Sequence, residues 1–204
     1  MPAPRAAQAC QPRRLLTRPA GYSRRVAAVL LCLSAPATFG PDRAALAQPA
    51  SEQQLKAAFF YRFPQFVRWP PPLVQSAATM DLCLATPAPM ADDLRVLVAG
   101  ESLRGRPLRV REIGDAAGLA GCHALFAGAQ ADADRSLLRA ARDRPILTVG
   151  EDDRFLTDGG IIAFRVLDRR VRFEVDLAHA RRAGLRLDVQ LLRLAQAVHG
   201  RPGS

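Results

Sequence analysis

The order of apolar runs along this chain constrains its fold more than any other feature. Four short runs have strand character, and stretches with the leucine spacing of helices separate them. The runs are DLCLA at 81–85, RPLRVRE at 106–112, CHALFA at 122–127 and PILTV at 145–149. Two alternating runs then flank Asp168-Arg169, which predicts a β-hairpin. We therefore predict an α/β fold: a single three-layer domain whose mixed β-sheet carries helices on both faces and ends in a C-terminal β-hairpin and helices.

A helix at 51–63 precedes the first of these strands. Ser51 and Gln54 have the spacing of a capping box, which marks a helix start. Pro64 cannot donate a backbone hydrogen bond, so we expect the helix to break or kink near Phe63.

Six aromatic side chains crowd into the eleven residues 59–69, although aromatic residues form only 6% of the chain. One helix cannot bury six such side chains on a single inward stripe. We expect three of them to lie in the core: Phe59, Phe63 and Phe66. We assign the other three to a surface that contacts a partner protein, with burial in the core as the alternative: Phe60, Tyr61 and Trp69.

Leucine spacing predicts four further helices. The first two are at 92–99 and at 132–141, the latter with Leu137 and Leu138 facing inward. A third occupies 178–183 and ends at Gly184, as helices commonly end at glycine. The inward residues of the last helix are predicted to be Leu191, Leu192, Leu194 and Val198.

Residues 1–47 have the parts of a secretory signal peptide in the usual order. Residues 1–25 are basic without an acid, the apolar core VAAVLLCL follows, and Ala45-Leu46-Ala47 offers a cleavage site. A transmembrane anchor is the alternative, but this core is far shorter than the roughly 20 residues that a span needs. We predict a cleaved signal peptide at 1–47 and one periplasmic α/β domain at 48–204. The export route, Sec or twin-arginine, stays open.

Charge argues against nucleic acid as a partner. Residues 48–204 hold 22 basic and 18 acidic residues, a formal net charge of +4, whereas the whole chain has +10. A nucleic-acid-binding protein gathers its basic residues on one face among aromatic side chains. In this sequence the arginines are scattered and acidic residues interrupt them.

Cys83 and Cys122 are the two cysteines of residues 48–204. In an exported protein, two cysteines most simply form one disulfide, here between the first and third predicted strands. Two buried free thiols are the alternative. A zinc site needs four ligands, and His123 beside Cys122 does not complete the set.

Known catalytic motifs do not account for this chain, and we predict no catalytic residue, no cofactor and no metal site. Glu151-Asp152-Asp153 follows an apolar strand, where it either binds a cation or forms a loop that is simply solvated. Gly159-Gly160 either binds an anion or permits a turn into the hairpin. A hydrolase would need a nucleophile and a base, and neither Ser102 nor Ser136 has the sequence context for that role.

Five segments, taken together, resemble the YfiR-like family of exported proteins. They follow the family order and cover nearly all of residues 48–204. The segments are LKAAFFYRFPQFVRWP, LCLA, GCHALF, ILTVGEDDRFLTDGGIIAF and VRFEVDLAHARRAGLRLDVQLLRLA.

The resemblance implies a periplasmic regulator that is not an enzyme. The family-typical role is to bind the periplasmic part of an inner-membrane diguanylate cyclase and hold it inactive, which lowers cyclic-di-GMP and limits biofilm formation. Another membrane sensor protein as partner, and a homodimer, are compatible with this role. The family also implies a disulfide between Cys83 and Cys122.

Three departures from the family pattern stand out. Pro64 interrupts a helix that normally continues, Asp176 replaces the usual asparagine after the hairpin, and a second cysteine pair of some members is missing. The alternative function is a small-molecule-sensing module coupled to a membrane receptor, which a deep pocket with convergent polar groups would favour.

Overall fold

A computed structural model describes residues 50–71, 77–86, 88–128, 130, 132–133 and 135–201, and the predicted signal peptide lies outside them. The helices are α1 (Glu52–Arg62), α2 (Ala88–Val98), α3 (Ser136–Ala141), α4 (Leu177–Arg182) and α5 (Val189–Leu194). Single 3-10 turns occupy Phe63–Phe66 and Ala116–Leu119. The strands are β1 (Val67–Arg68), β2 (Met80–Ala85), β3 (Ser102–Leu103), β4 (Arg106–Glu112), β5 (Cys122–Ala127), β6 (Leu147–Gly150), β7 (Ile162–Leu167), β8 (Arg170–Asp176), β9 (Arg186–Leu187) and β10 (Ala197–His199).

Eight strands form one mixed sheet in the order β10-β8-β7-β6-β5-β2-β4-β3. Strands β4, β2, β5, β6 and β7 run parallel, whereas β8 runs antiparallel to β7. From β2 the chain moves to β4 on one side and then returns to β5 on the other side. The strand order therefore reverses between β2 and β5, as in doubly wound α/β folds. The predicted α/β fold with a mixed sheet is confirmed.

Helices cover both faces of this sheet and create two separate cores. On one face α1, α2, α4 and α5 pack over the strands, and Phe60, Leu94 and Leu191 are buried there. On the other face α3 buries Leu137 and Leu138. Both β2 and β5 are buried along their whole length, because parallel strands covered on two faces have no solvated side.

The amino-terminal helix begins and ends as its sequence predicts. The Ser51 hydroxyl accepts from the Gln54 backbone, and the Gln54 side chain accepts from Ser51 N, which completes the capping box. The α-helix ends at Arg62, and Pro64 lies in the 3-10 turn that follows. The Phe63 ring then packs against the hairpin, 5.0 Å from the ring of Phe173.

The hairpin is also confirmed. Asp168 and Arg169 have φ values of +50° and +58°, as a two-residue type I′ turn requires at both central positions. Phe164 and Phe173 lie opposite each other across β7 and β8, and their side chains are buried under α1.

The carboxyl-terminal part differs from the prediction. The last helix ends at Leu194, which is 65% exposed, and Val198 lies in β10 rather than in a helix. Strand β10 pairs with the otherwise open edge of β8, and Gln196 N donates to Phe173 O. Pairing of a sheet edge outweighs helical propensity here, because an open edge leaves backbone groups unsatisfied.

Two other helices have different starts from those predicted. Helix α2 begins at Ala88, four residues earlier than predicted, with Pro89 in its first turn. Proline is tolerated there because backbone N–H groups in the first turn have no partner within the helix. Helix α3 begins at Ser136, four residues later. The buried carboxylate of Asp132 accepts from the backbone N of Leu137 and of Leu138, so Asp132 caps this helix from outside.

Candidate functional site

A disulfide between Cys83 and Cys122 joins two adjacent strands at the centre of the sheet. Cys83 lies on β2, Cys122 begins β5, and both side chains are buried. Their Cα atoms are 6.0 Å apart, a spacing that a disulfide spans. The bond encloses α2, β3 and β4, so it fixes the part of the chain that reverses direction along the sheet.

A buried carboxylate lies on the same strand, two residues before Cys83. Asp81 is 2% exposed and pairs with Arg109 at 2.5 Å and with Arg111 at 3.3 Å. Burial alone would raise the pKa of Asp81, but hydrogen bonds from Arg109, Thr79 and Arg111 outweigh it and hold the pKa below its usual value. Asp81 therefore stays ionised and anchors the solvated arginines of β4 to the central strand.

His123 is the extra residue of a bulge between β2 and β5. Its Nδ1 accepts from the backbone N of Asp81 at 3.1 Å, and its carbonyl accepts from Trp69 Nε1 at 3.2 Å. Burial lowers the pKa of His123, and its Nε2 has no partner among the described residues. These contacts make His123 a neutral structural residue of the bulge.

The three aromatic residues assigned to a partner surface are divided by the structure. Phe60 is 0% exposed and Trp69 is 6% exposed, so both lie in the core. Their assignment to a contact surface is corrected, because side chains with so little exposed area offer little surface to another protein. Tyr61 is partly buried at the edge of the core, its hydroxyl donates to Glu101 at 3.0 Å, and the Arg62 guanidinium lies 5.1 Å from its ring centre. Contact between Tyr61 and a partner stays a prediction.

The other three aromatic residues also differ slightly from expectation. Phe63 is buried, as predicted, whereas Phe59 and Phe66 are only partly buried at the edge of the same core. The inward stripe of α1 therefore passes through Ala57 and Phe60 and continues to Phe63 in the 3-10 turn.

A cavity of about 450 Å³ opens where the strand order reverses. Thr86, Gly128 and Glu151 line it, and these residues directly follow β2, β5 and β6. Met90 of α2 and Phe126 of β5 form its apolar floor. Doubly wound folds bind ligands at this position, outside the carboxyl ends of the strands at the reversal of strand order. We call this cavity the carboxyl-edge pocket.

Lys56, the single lysine of the chain, lies at the rim of the carboxyl-edge pocket. Lys56 Nζ lies 2.6 Å from Glu52 and 2.7 Å from Glu151, so it links α1 to the end of β6. Burial opposes the charge of Lys56, but hydrogen bonds to Glu151 and Glu52 outweigh it and raise its pKa above the usual value. Two carboxylates and one ammonium leave the rim with a net charge of −1.

Two carboxylates of the acidic segment at 151–153 form ion pairs, and the third, Asp153, is exposed. Glu151 binds Lys56, and Asp152 forms an ion pair with Arg135. In the part of the chain that the structure describes, no group of three or more metal-ligating side chains occurs. The carboxylates instead hold α1 and α3 against the loop after β6.

The two adjacent glycines before the hairpin are required for packing. A Cβ atom at Gly160 would lie 2.1 Å from the Phe155 ring, and one at Gly150 would lie 2.3 Å from the same ring. Phe155 is fully buried between them. Gly159 has φ +109°, which favours glycine and directs the chain toward β7. The turn interpretation of Gly159-Gly160 is therefore correct, with close packing as a second reason.

Sequence patterns did not reveal the carboxyl-edge pocket. Its lining comes from α1 and from the ends of three strands that are distant along the chain, and only the strand order brings them together. Two of its residues carried a signal: Glu151 follows an apolar strand, and Lys56 is a single lysine in an arginine-rich chain. No helix of the described residues has the length and apolar character needed to cross a bilayer.

The mixed sheet, its carboxyl-edge pocket and its central disulfide define a disulfide-linked, doubly wound α/β domain. The chain belongs to the YfiR/HmsC-like family, whose model matches residues 53–196. Members of this family are periplasmic regulators of cyclic-di-GMP signalling that work with membrane-associated partners.

A solved structure titled a conserved domain protein from Vibrio cholerae O1 biovar El Tor strain N16961 matches with a TM-score of 0.48 and 10% identity. The match covers 72% of this chain and 60% of that one, so this chain spans less than two thirds of the solved chain. No curated protein matches this sequence.

Proposed function

We propose that this protein represses an inner-membrane diguanylate cyclase by binding the cyclase's periplasmic portion. The observation that carries the proposal is the family match, which runs from the first turn of α1 to the residue before β10. The central disulfide supports a working place outside the reducing cytoplasm. The predicted signal peptide at 1–47 would deliver the chain there.

Repression by contact sets a thermodynamic requirement. The protein must bind the inactive form of the cyclase more tightly than the active form, since equal affinity for both forms leaves the equilibrium between them unchanged. To change a population from 1% to 99% inactive, this preference must be about 10⁴-fold. Tyr61 is the aromatic candidate that is only partly buried, and tyrosine is enriched among residues that dominate binding energy.

Deletion of the gene should raise cellular cyclic-di-GMP, because the cyclase would lose its repressor. Re-expression of the full chain should restore the lower level, whereas re-expression of residues 48–204 should not, because a protein retained in the cytoplasm cannot reach a periplasmic domain. Quantification of the nucleotide by mass spectrometry in the four strains measures this. An unchanged level in the deletion strain, with the cognate cyclase expressed, would contradict the proposed repression.

The carboxyl-edge pocket favours a second candidate function, the sensing of a small molecule. Its position at the reversal of strand order is the one that doubly wound folds use for ligands. Its apolar floor of Met90 and Phe126 below a charged rim suits a small organic molecule. The net negative charge of that rim favours a ligand with a cationic amine.

Small organic amines should raise the melting temperature of the protein, because a ligand that binds only the folded state stabilises it. Neutral analogues without the amine should have no effect. Glu151→Gln should abolish the shift, while Asp168→Asn, the same charge change at the hairpin turn, should leave it intact. Thermal denaturation of the three proteins against a panel of amines provides the measurement. If no amine shifts the wild-type melting temperature, sensing of an amine at this pocket is excluded.

A further inference from the structure

The far end of the β7–β8 hairpin is exposed, and no part of the proposed function uses it. Strand β6 pairs with β7 only through Ile162 and Ala163, and β10 pairs with β8 only from Glu174 onward. Among the described residues, the rest of the hairpin therefore has no neighbouring strand on either side, and it extends past the ends of β5 and β6. Residues 166–170 are all exposed. We call residues 166–172 the hairpin tip.

The hairpin tip carries three arginines and one acid. The arginines are Arg169, Arg170 and Arg172, the acid is Asp168, and all four residues are exposed. None of the three guanidinium groups forms an ion pair or a hydrogen bond within the described part of the chain. Three positive charges and one negative charge give these seven residues a formal net charge of +2. Arginine does not lose its proton in proteins, so this charge is permanent.

Arg172 lies directly opposite Arg165 across the two strands. Glu174 is 3.7 Å from the guanidinium of Arg165 and offsets only one of these two charges. Like charges at directly opposed positions of a strand pair repel each other. An anion beside Arg172 would relieve this repulsion, so the hairpin favours contact with a negatively charged surface.

Two apolar side chains accompany these charges. Val166 is 49% exposed and Leu167 is 46% exposed. Successive side chains of a strand point to opposite faces, so these two lie on the two sides of the hairpin. A flat protein surface would cover only one of them. The headgroup layer of a bilayer surrounds a tip that enters it and covers both.

We propose that the hairpin tip docks on the surface of a bilayer that contains anionic phospholipid. Val166 and Leu167 enter the boundary between headgroups and acyl chains, as apolar residues of interfacial segments do. The three arginines of the tip bind lipid phosphates, whose oxygens match the paired N–H donors of guanidinium. Asp168 opposes this attraction, but the arginines outnumber it. Docking holds the domain beside the membrane in which its proposed partner lies.

Sedimentation of the purified exported protein with vesicles tests this proposal. One set of vesicles consists of phosphatidylcholine alone, and the other also contains phosphatidylglycerol. We expect binding to the second set only. This binding should weaken as the salt concentration rises, because salt screens charges at a surface. No cyclase is present, so failure of this test does not bear on the proposed repression.

Replacement of the three tip arginines by glutamine should weaken binding to the anionic vesicles about one hundred-fold, since each arginine near an anionic surface contributes about five-fold. The matched control removes the same charge from three other exposed arginines: Arg68, Arg182 and Arg186. They lie on or beside the β1–β9 pair, which leads into Trp69 and the start of β5, at the opposite edge of the sheet from the tip. The control should retain most of the binding.

Two further variants separate the contributions of charge and apolar contact. Asp168→Asn should strengthen binding about five-fold, because it removes the one opposing charge. Asparagine also tolerates the φ of +50° at this turn position. Val166→Thr with Leu167→Thr keeps the preference for a strand but should weaken binding about ten-fold, because less apolar surface is buried. Circular dichroism checks that each variant is folded.

Each outcome of the sedimentation decides the proposal. Binding that requires phosphatidylglycerol, and that the tip variant loses while the control keeps it, supports docking on lipid. Absence of binding to both sets of vesicles overturns it and leaves an acidic protein surface as the partner of the tip. Equal binding to both sets, or equal losses in the tip variant and the control, also overturns it, because the arginines of the tip then do not make the contact.

Discussion

Replacement of Trp69 by alanine should lower the free energy of unfolding by about 3–5 kcal/mol, the range observed when large aromatic side chains are removed from protein cores. Trp69 is 6% exposed, its Nε1 donates to His123 O, and its ring lies edge-on to the His123 ring at 6.3 Å. The substitution leaves a cavity beside the bulge and removes that donor. Urea denaturation followed by circular dichroism measures the loss.

Tyr61→Ala is the matched control, since it removes a partly buried aromatic side chain from the same aromatic-rich segment. We expect its stability to change by much less than that of Trp69→Ala. If Tyr61 contacts the partner, Tyr61→Ala should weaken binding to the cyclase's periplasmic portion by about 2 kcal/mol or more, as buried aromatic anchors do. Similar stability losses in both variants would place Tyr61 in the core as well and move the partner surface elsewhere.

Removal of the disulfide should have a comparable effect. Cys83→Ala with Cys122→Ala should lower stability by about 4 kcal/mol, because the bond closes a loop of 39 residues and restricts the unfolded chain. Total stability of a domain is typically only about 5–15 kcal/mol, so the variant should unfold at a far lower urea concentration. Denaturation curves of wild type and the double variant provide the comparison.

A thiol titration of denatured, unreduced protein supplies the control for this prediction. The exported protein should contain no reactive thiol. Two thiols per chain would show that the cysteines remain reduced outside the cytoplasm. The stability difference would then reflect core packing around β2 and β5 alone, and the predicted disulfide would be contradicted.

The sequence predicts the elements that local residues determine. Ser51 and Gln54 mark the start of α1, Pro64 marks its end, and Asp168-Arg169 forms the hairpin turn. The buried character of CHALFA is also predictable, because both faces of the run are apolar. These signals depend on neighbours along the chain, so no knowledge of tertiary structure is needed to interpret them.

The elements that sequence analysis misplaces depend on distant partners. Val198 belongs to β10 only because β8 offers an open edge, and a leucine-rich stretch before it favours a helix when read alone. Trp69 follows a helix end and precedes three prolines, a position typical of a surface. It is buried because the bulge residue His123, far along the chain, accepts its hydrogen bond. The lining of the carboxyl-edge pocket comes together for the same reason, so sequence analysis marks only Glu151 as a candidate site residue there.

The packing of α1 against the hairpin affects how this chain folds as it emerges, amino end first, from the ribosome or a translocation channel. The rings of Phe59 and Phe63 contact those of Phe164 and Phe173, and Phe173 emerges 110 residues after Phe63. At typical rates of synthesis this delay is about 5–20 s. Until then Phe59 and Phe63 lack the rings of the hairpin, although Phe60 can already contact Phe126, which emerges earlier. Shielding of these two rings during that interval would therefore reduce their non-native contacts.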